Sequence, residues 1–263
     1  MARIFSIMSG KGGVGKSTLA SSLARYYAAK GMRTVLIDGD IGLRCADLML
    51  NVQDRVVFDL GDVKDRLCPA EQALIRPTGM ENLSLMAAPQ MLQPSDIKAK
   101  EITRLISALA ESHDILILDA PAGIGRGLKN LLGAQSTPVI VATPDDVCLR
   151  DAEKIGLVLK EKGEMHPHLV LNRVNRQLIK KGEMLPPQVI AATLDMPLTG
   201  VIYESPGVYR ALLQHKTALE CDDAQVRQAI ENTASRLLGA DTPLPQFKTP
   251  TRRFFFRRGG MQA

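Results

Sequence analysis

The sequence predicts an α/β fold in which a mainly parallel, twisted sheet carries helices on both faces, and three observations lead there. Short strand-like runs alternate with amphipathic helical stretches, the rhythm of repeated βαβ units. Several runs, among them Ile115-Leu116-Ile117-Leu118, are continuously apolar rather than alternating, as strands buried on both faces are. A glycine-rich loop at 10–17 separates the first strand from the first helix.

Taken in order, the predicted strands are Arg3–Ser9, Thr34–Asp38, Leu83–Ala87, Ile115–Asp119, Val139–Thr143, Leu169–Asn172 and Leu198–Ile202. Between and after them, helices are predicted at 17–30, 95–111, 126–135, 145–160, 186–194, 206–214 and 222–238. At 263 residues and 45% hydrophobic, the chain can bury its core as one unit, assigned to 1–238. Residues 239–250 hold Pro243, Pro245 and Pro250 with little apolar content and read as an extended linker. A basic-aromatic tail occupies 251–263, and no internal repeat is visible.

No stretch approaches the roughly 20 apolar residues that span a bilayer. The opening Met-Ala-Arg runs into the first strand without the apolar region of a signal peptide. Cys45, Cys68, Cys148 and Cys221 form no CxxC pair, which argues against a disulfide framework, a zinc site or a bridging iron-sulfur cluster and fits a reducing cytoplasm. The net charge is +5, but Lys248, Arg252, Arg253, Arg257 and Arg258 all follow the last acidic residue, Asp241. Without those five the body holds 28 basic against 28 acidic residues. No specific nucleic-acid partner is therefore expected, and the excess charge points to an anionic surface met by the tail.

Gly10-Lys11-Gly12-Gly13-Val14-Gly15-Lys16-Ser17 satisfies G-x-x-x-x-G-K-[ST] between a strand and a helix, the context that identifies a P-loop NTPase. The glycines allow backbone N–H groups to converge on phosphate oxygens, and the helix that follows, through Thr18, turns its positive end toward them. Lys16 is expected to reach the β- and γ-phosphates and Ser17 to coordinate Mg²⁺. Asp119 closes an apolar strand where a Walker B carboxylate would hold Mg²⁺ through water; Asp38 closes another strand and Asp40 follows it. Strand-end acids also serve as caps and turn residues.

With Lys11 early in the loop, the sequence resembles the deviant Walker A ATPases of the MinD/ParA family. Asp38-Gly39-Asp40-Ile41-Gly42-Leu43-Arg44, Asp119-Ala120-Pro121-Ala122-Gly123-Ile124, Arg150-Asp151 and Gly200-Val201-Ile202 narrow the resemblance to its septum-site MinD branch. It covers Ala2 to about Leu238. It implies ATP and Mg²⁺ as cofactors and a homodimer in which Lys11 crosses to the partner copy's nucleotide; as a bland alternative, Lys11 is a solvated loop lysine. It implies Lys11, Lys16 and Asp40 as the catalytic set, Asp40 orienting the attacking water, with Ser17, Asp38 and Asp119 serving the metal. Asn172, followed by Arg173, resembles the family's adenine-reading element, whose amide offers a donor and an acceptor together; a turn-forming Asn is the alternative. Helix 145–160, with Arg150, Asp151, Glu153 and Lys154, corresponds to the region where regulators dock, or is a solvated face.

The resemblance further implies a cytoplasmic ATPase peripherally attached to the inner face of the cell membrane. Such an ATPase would recruit a MinC-like division inhibitor, answer to a MinE-like or other topological regulator, and so place the division septum. A ParA-type DNA-partition ATPase and a flagellar-number ATPase share the loop and stand as alternatives. Cys45 replaces the Asn usual in Gly-Leu-Arg-Asn, and Gly125 replaces a common Glu; both departures bear on hydrolysis rate and activation, not on phosphate binding. In the tail, Arg252, Arg253, Phe254, Phe255, Phe256, Arg257 and Arg258 suit a bilayer interface, rings in the acyl boundary and guanidiniums among headgroups. The three rings are consecutive and make a poor helical stripe, so docking on the body or on another protein is the alternative.

Overall fold

The computed structural model describes residues 2–123, 136–161, 163 and 167–247. The predicted helix 126–135, Gly125 and the tail lie outside the described residues.

Among the described residues eight strands form one sheet in the order β3-β4-β2-β5-β1-β6-β7-β8, with β1 Arg3–Met8, β2 Thr34–Asp38, β3 Leu74–Ile75, β4 Leu83–Met86, β5 Ile115–Asp119, β6 Thr137–Ala142, β7 His168–Val174 and β8 Leu198–Tyr203. Every pairing is parallel except β3 with β4. β1 lies between β5 and β6, so the chain builds outward from it in both directions, and the carboxyl ends around β1 form the crevice where such sheets bind ligands. All five residues of β2 and of β5 are buried, which is why their sequences are unbroken apolar runs up to a terminal aspartate.

One face of the sheet is covered by α1 Lys16–Ala29, α8 Pro206–Leu213 and α9 Ala224–Leu237, through Leu19, Leu23, Ala211, Val226 and Ile230. The other carries α4 Ala99–Ala110, α5 Asp146–Glu161, α6 Arg176–Lys181 and α7 Pro187–Leu194, through Ile102, Leu105, Ala152, Ile155, Ile179 and Ile190. Two short helices, α2 Ala46–Met49 and α3 Leu60–Lys64, sit in the β2–β3 connection. The family landmark Gly200 has a packing reason: a Cβ there would come within 2.6 Å of Thr233 Oγ1 on α9.

The predicted elements that fall on described residues are all present. Helix 95–111 begins later, at Ala99, because Glu101 accepts the Lys98 N–H at 2.8 Å and caps it there. Among the described residues one strand and three α-helices are additional, β3, α2, α3 and α6, each too short for periodicity to reveal. α6 did carry end signals, an Asn175 side chain accepting from the N–H groups of Gln177 and Leu178, and Gly182 at φ 73. The proline segment through Phe247 lacks regular structure but lies on the body. Arg236 donates to the carbonyls of Thr199, Thr242 and Pro243 at 2.6–2.9 Å, and Gln188 donates to that of Pro245 at 2.6 Å. Among the described residues no helix is long and apolar enough to cross a membrane.

Candidate functional site

The loop between β1 and α1 adopts backbone angles that only glycine takes without strain, φ 80 at Gly13 and φ 95 at Gly15. Gly10 is glycine for a different reason: a Cβ there would run into the Cβ of Asp151 and come 2.9 Å from its backbone carbon. α5 is thus packed directly against the start of the loop, and the paired landmarks Arg150-Asp151 and Gly10 meet in space. Asp145 caps α5, accepting the Cys148 N–H at 3.1 Å, and its negative charge lies near Lys11.

The two loop lysines occupy opposite environments. Lys16 is buried, its Nζ 2.6 Å from Asp119 Oδ1 and 3.2 Å from Ser17 Oγ. Lys11 is exposed and, among the described residues, has no carboxylate within ion-pair distance. Burial pushes the Asp119 carboxyl upward, a tendency that the Lys16 ammonium opposes. Among the described residues its second oxygen, Oδ2, is buried without a hydrogen-bond partner.

Asp38 is fully buried at the end of β2, its carboxylate accepting backbone N–H groups from Asp40, Cys45 and Ala46 at 3.0–3.1 Å. Burial, reinforced by the neighbouring Asp119 charge, raises its pKa to about 6 against the pull of those three bonds. Asp38 therefore shapes the loop that carries Asp40. Among the described residues the half-buried Asp40 side chain takes no hydrogen bond, so its carboxylate remains available to hold a water.

The sheet thus gathers Lys16, Ser17, Asp38, Asp40 and Asp119 at adjoining strand ends. Residues Ser17, Asp38 and Asp119 supply only oxygen, and the orphaned Oδ2 gives that set an unused acceptor. No group of three or more acidic, His or Cys residues forms a metal cage among the described residues. The donor set fits Mg²⁺ held chiefly by nucleotide phosphates and water, with one or two carboxylates behind it.

Two residues sit differently from the sequence expectation. Asn172 lies inside β7, not at a strand end, and its Nδ2 donates to the Val14 carbonyl at 2.7 Å, so its amide already serves the loop. Cys45, read from sequence only as a departure, stands in the site beside Asp38 and Ser17; burial and the Asp38 charge push its thiol up to about 12, so it stays protonated. The Asp151 contact was not legible, because nothing local to Gly10 announces a helix 141 positions later.

A family model described as "ParA: NUBPL iron-transfer P-loop NTPase" matches residues 1–177. The chain is 34% identical to the septum site-determining protein MinD of Helicobacter pylori, over 97% of each chain. It is similar to MinD in the MinC:MinD cell division protein complex of Aquifex aeolicus (TM-score 0.85, 29% identity, covering 94% of this chain and 99% of that one). It is likewise similar to the Pyrococcus horikoshii MinD complexed with Mg-ADP (TM-score 0.78, 27% identity, covering 92% and 100%).

Proposed function

The chain belongs to the ParA family of P-loop ATPases and, within it, to the septum-site-determining MinD group, and from that premise we propose how it works. It is an ATPase that uses ATP with Mg²⁺ and regulates division-septum placement, with a MinC-type division inhibitor as its partner. ATP enters the cradle of loop N–H groups, and Lys16 leaves Asp119 for the β- and γ-phosphates. Ser17, Asp38 and Asp119 would hold Mg²⁺, which would neutralise charge on those phosphates. Asp40 orients a water whose oxygen bonds to the γ-phosphorus as the bond to the ADP oxygen breaks, leaving ADP and phosphate.

Lys11 extends to the nucleotide of a second copy, so the homodimer lasts while the triphosphate is intact. The single observation that carries this reading is the contrast within one loop: one lysine is committed to a buried carboxylate, the other is exposed at the rim without an ion-pair partner among the described residues. The units of the cycle are the ATPase body 1–238, the segment 239–250 and the tail 251–263. Arg252, Arg253, Phe254, Phe255, Phe256, Arg257 and Arg258 bind the anionic inner face of the cell membrane. Each basic residue contributes about 1 kcal/mol and each buried ring ~1.5–3 kcal/mol before the cost of ordering the tail, which offsets most of that gain and leaves one tail a weak anchor. Two tails on a dimer gain an effective concentration worth ~10²–10⁴ in avidity, which puts membrane residence under nucleotide control.

α5 receives a topological regulator. Its exposed face carries Val147, Arg150, Lys154 and Leu157 at helical spacing, with Val147 57% and Leu157 56% exposed. The neutral body gives no support to a DNA-partition role. Sedimentation with anionic vesicles tests the cycle: the protein should pellet with ATP and Mg²⁺, stay in solution with ADP, and fail to pellet in either state once residues 251–263 are deleted. Pelleting by the deleted protein would refute the anchor.

A further inference from the structure

We propose that Arg236 is a positioning residue for the membrane anchor, pinning the proline segment across the edge of the sheet so that the tail leaves the body on a short tether; this rests on the anchor reading above. Among the described residues β8 ends the sheet, and the segment crosses at its outer edge. The Arg236 guanidinium donates from Nη1 to the Thr199 carbonyl on β8 at 2.9 Å, from Nε to that of Thr242 at 2.7 Å and from Nη2 to that of Pro243 at 2.6 Å. One rigid, planar fork thus ties two successive carbonyls of the segment to the edge strand.

The course of the segment is set on both sides of that fork. α9 stops in a left-handed turn, with Gly239 at φ 91, the Gly239 N–H on the Arg236 carbonyl at 2.9 Å and the Ala240 N–H on the Ser235 carbonyl at 3.0 Å. This cap turns the chain off the helix. Pro243 and Pro245 then restrict φ along the way. Leu244 and Phe247 pack against the core on the face of the sheet opposite α9, and Gln188 on α7 donates to the Pro245 carbonyl at 2.6 Å. The segment therefore passes from one face of the sheet to the other, held by backbone and side chains alike.

The consequence is a matter of length. By sequence, twelve residues, 239–250, separate the body from the tail. With contacts made as far as Phe247, three, 248–250, separate the last contact from the tail. At ~3.3–3.6 Å per residue, the greatest reach of the tether drops from about 40 Å to about 10 Å. Once one tail of a dimer is on the bilayer, the effective concentration of the other falls roughly as the −3/2 power of tether length, so a fourfold longer tether costs about eightfold. Arg236 thus sets how strongly two tails act together, through the segment it holds.

Sedimentation of the full chain with vesicles containing anionic phosphatidylglycerol, in ATP and Mg²⁺, tests this. Two variants lengthen the tether by different routes. Arg236→Ala removes the fork, whereas Gly-Ser residues equal in number to 239–247, inserted between Phe247 and Lys248, leave every contact in place. Each should raise the lipid concentration for half-maximal pelleting by about eightfold, with ATP turnover in the absence of vesicles within about twofold of wild type, a pattern that a merely structural arginine would not share with the insertion. If Arg236→Ala does not fold, Gln188→Ala replaces it; freeing the segment from Pro245 onward doubles the tether and should cost about threefold. Unchanged pelleting by the inserted chain, or by the point variant that folds, overturns the proposal while leaving the anchor reading standing. Wild-type protein that stays in solution with ATP would refute the anchor itself, and this inference with it.

Discussion

Lys16 Nζ lies 2.6 Å from Asp119 Oδ1, with the two side chains only 6% and 0% exposed. Two groups that phosphate and metal each require are holding one another, so nucleotide binding is an exchange of partners for both. Removing one member leaves a buried charge alone, which costs about 3–5 kcal/mol. Asp119→Ala should lose about that much in denaturant unfolding of the nucleotide-free protein, whereas Asp119→Asn, which keeps an acceptor for the ammonium, should lose less. Equal stability of wild type and Asp119→Ala would show that the pair contributes nothing.

Lys11 should behave oppositely to Lys16. Lys16→Ala is expected to abolish nucleotide binding. Lys11→Ala should alter the monomer's affinity by less than about fivefold, as befits an exposed charge worth at most ~1 kcal/mol, and should prevent ATP-dependent dimerisation. Light scattering at saturating ATP and Mg²⁺ decides; a dimer of unchanged mass would remove the role across the interface.

Asp40 takes no side-chain hydrogen bond among the described residues, so truncating it should spare the fold and the binding step. Asp40→Ala should bind ATP normally, hydrolyse it roughly 10²–10⁴-fold more slowly, and stay on vesicles as a dimer. Phosphate release at the wild-type rate would end its assignment.

Gly10 should tolerate no side chain, since a Cβ meets Asp151 on α5. Gly10→Ala must part the loop from the helix, at a cost of about 1–3 kcal/mol for an overpacked contact. Nucleotide affinity should fall with it. Unchanged melting and unchanged ATP affinity would mean that the two elements are not coupled.

Acid should relieve one cost in the nucleotide-free protein. Asp38 keeps its proton up to about pH 6 when folded, against 3.8 as the ordinary value. Between those values the folded state binds more protons than the unfolded one, so this group's contribution falls as pH rises through that window, by on the order of 3 kcal/mol in all. Urea titrations from pH 4 to 7 on wild type and Asp38→Ala measure it: the difference in stability between them should depend on pH in that window, and a constant difference would put the Asp38 pKa in its ordinary range.

The strands, the loop and their order along the chain were legible because each leaves a local mark. β2 and β5 are runs of buried residues ending in Asp38 and Asp119, and the loop carries its glycines and lysines within eight positions. α2, α3 and β3 were not legible, since one helical turn or two paired residues make no period. The bulge at Arg173 was likewise hidden: it hangs on pairing with β8, not on composition.

From the residues alone came the phosphate loop, the carboxylates that face it, the neutral body and the charged end. Which partner each side chain takes was decided by the sheet. β5 and β6 flank β1 and β7 follows β6, so Asp119 comes to Lys16 and Asn172 comes to Val14 although 103 and 158 positions separate them. A sequence pattern records the period and chemistry of neighbours along the chain, whereas a hydrogen bond depends on a few tenths of an ångström across strands, and only the packed order of those strands sets that distance.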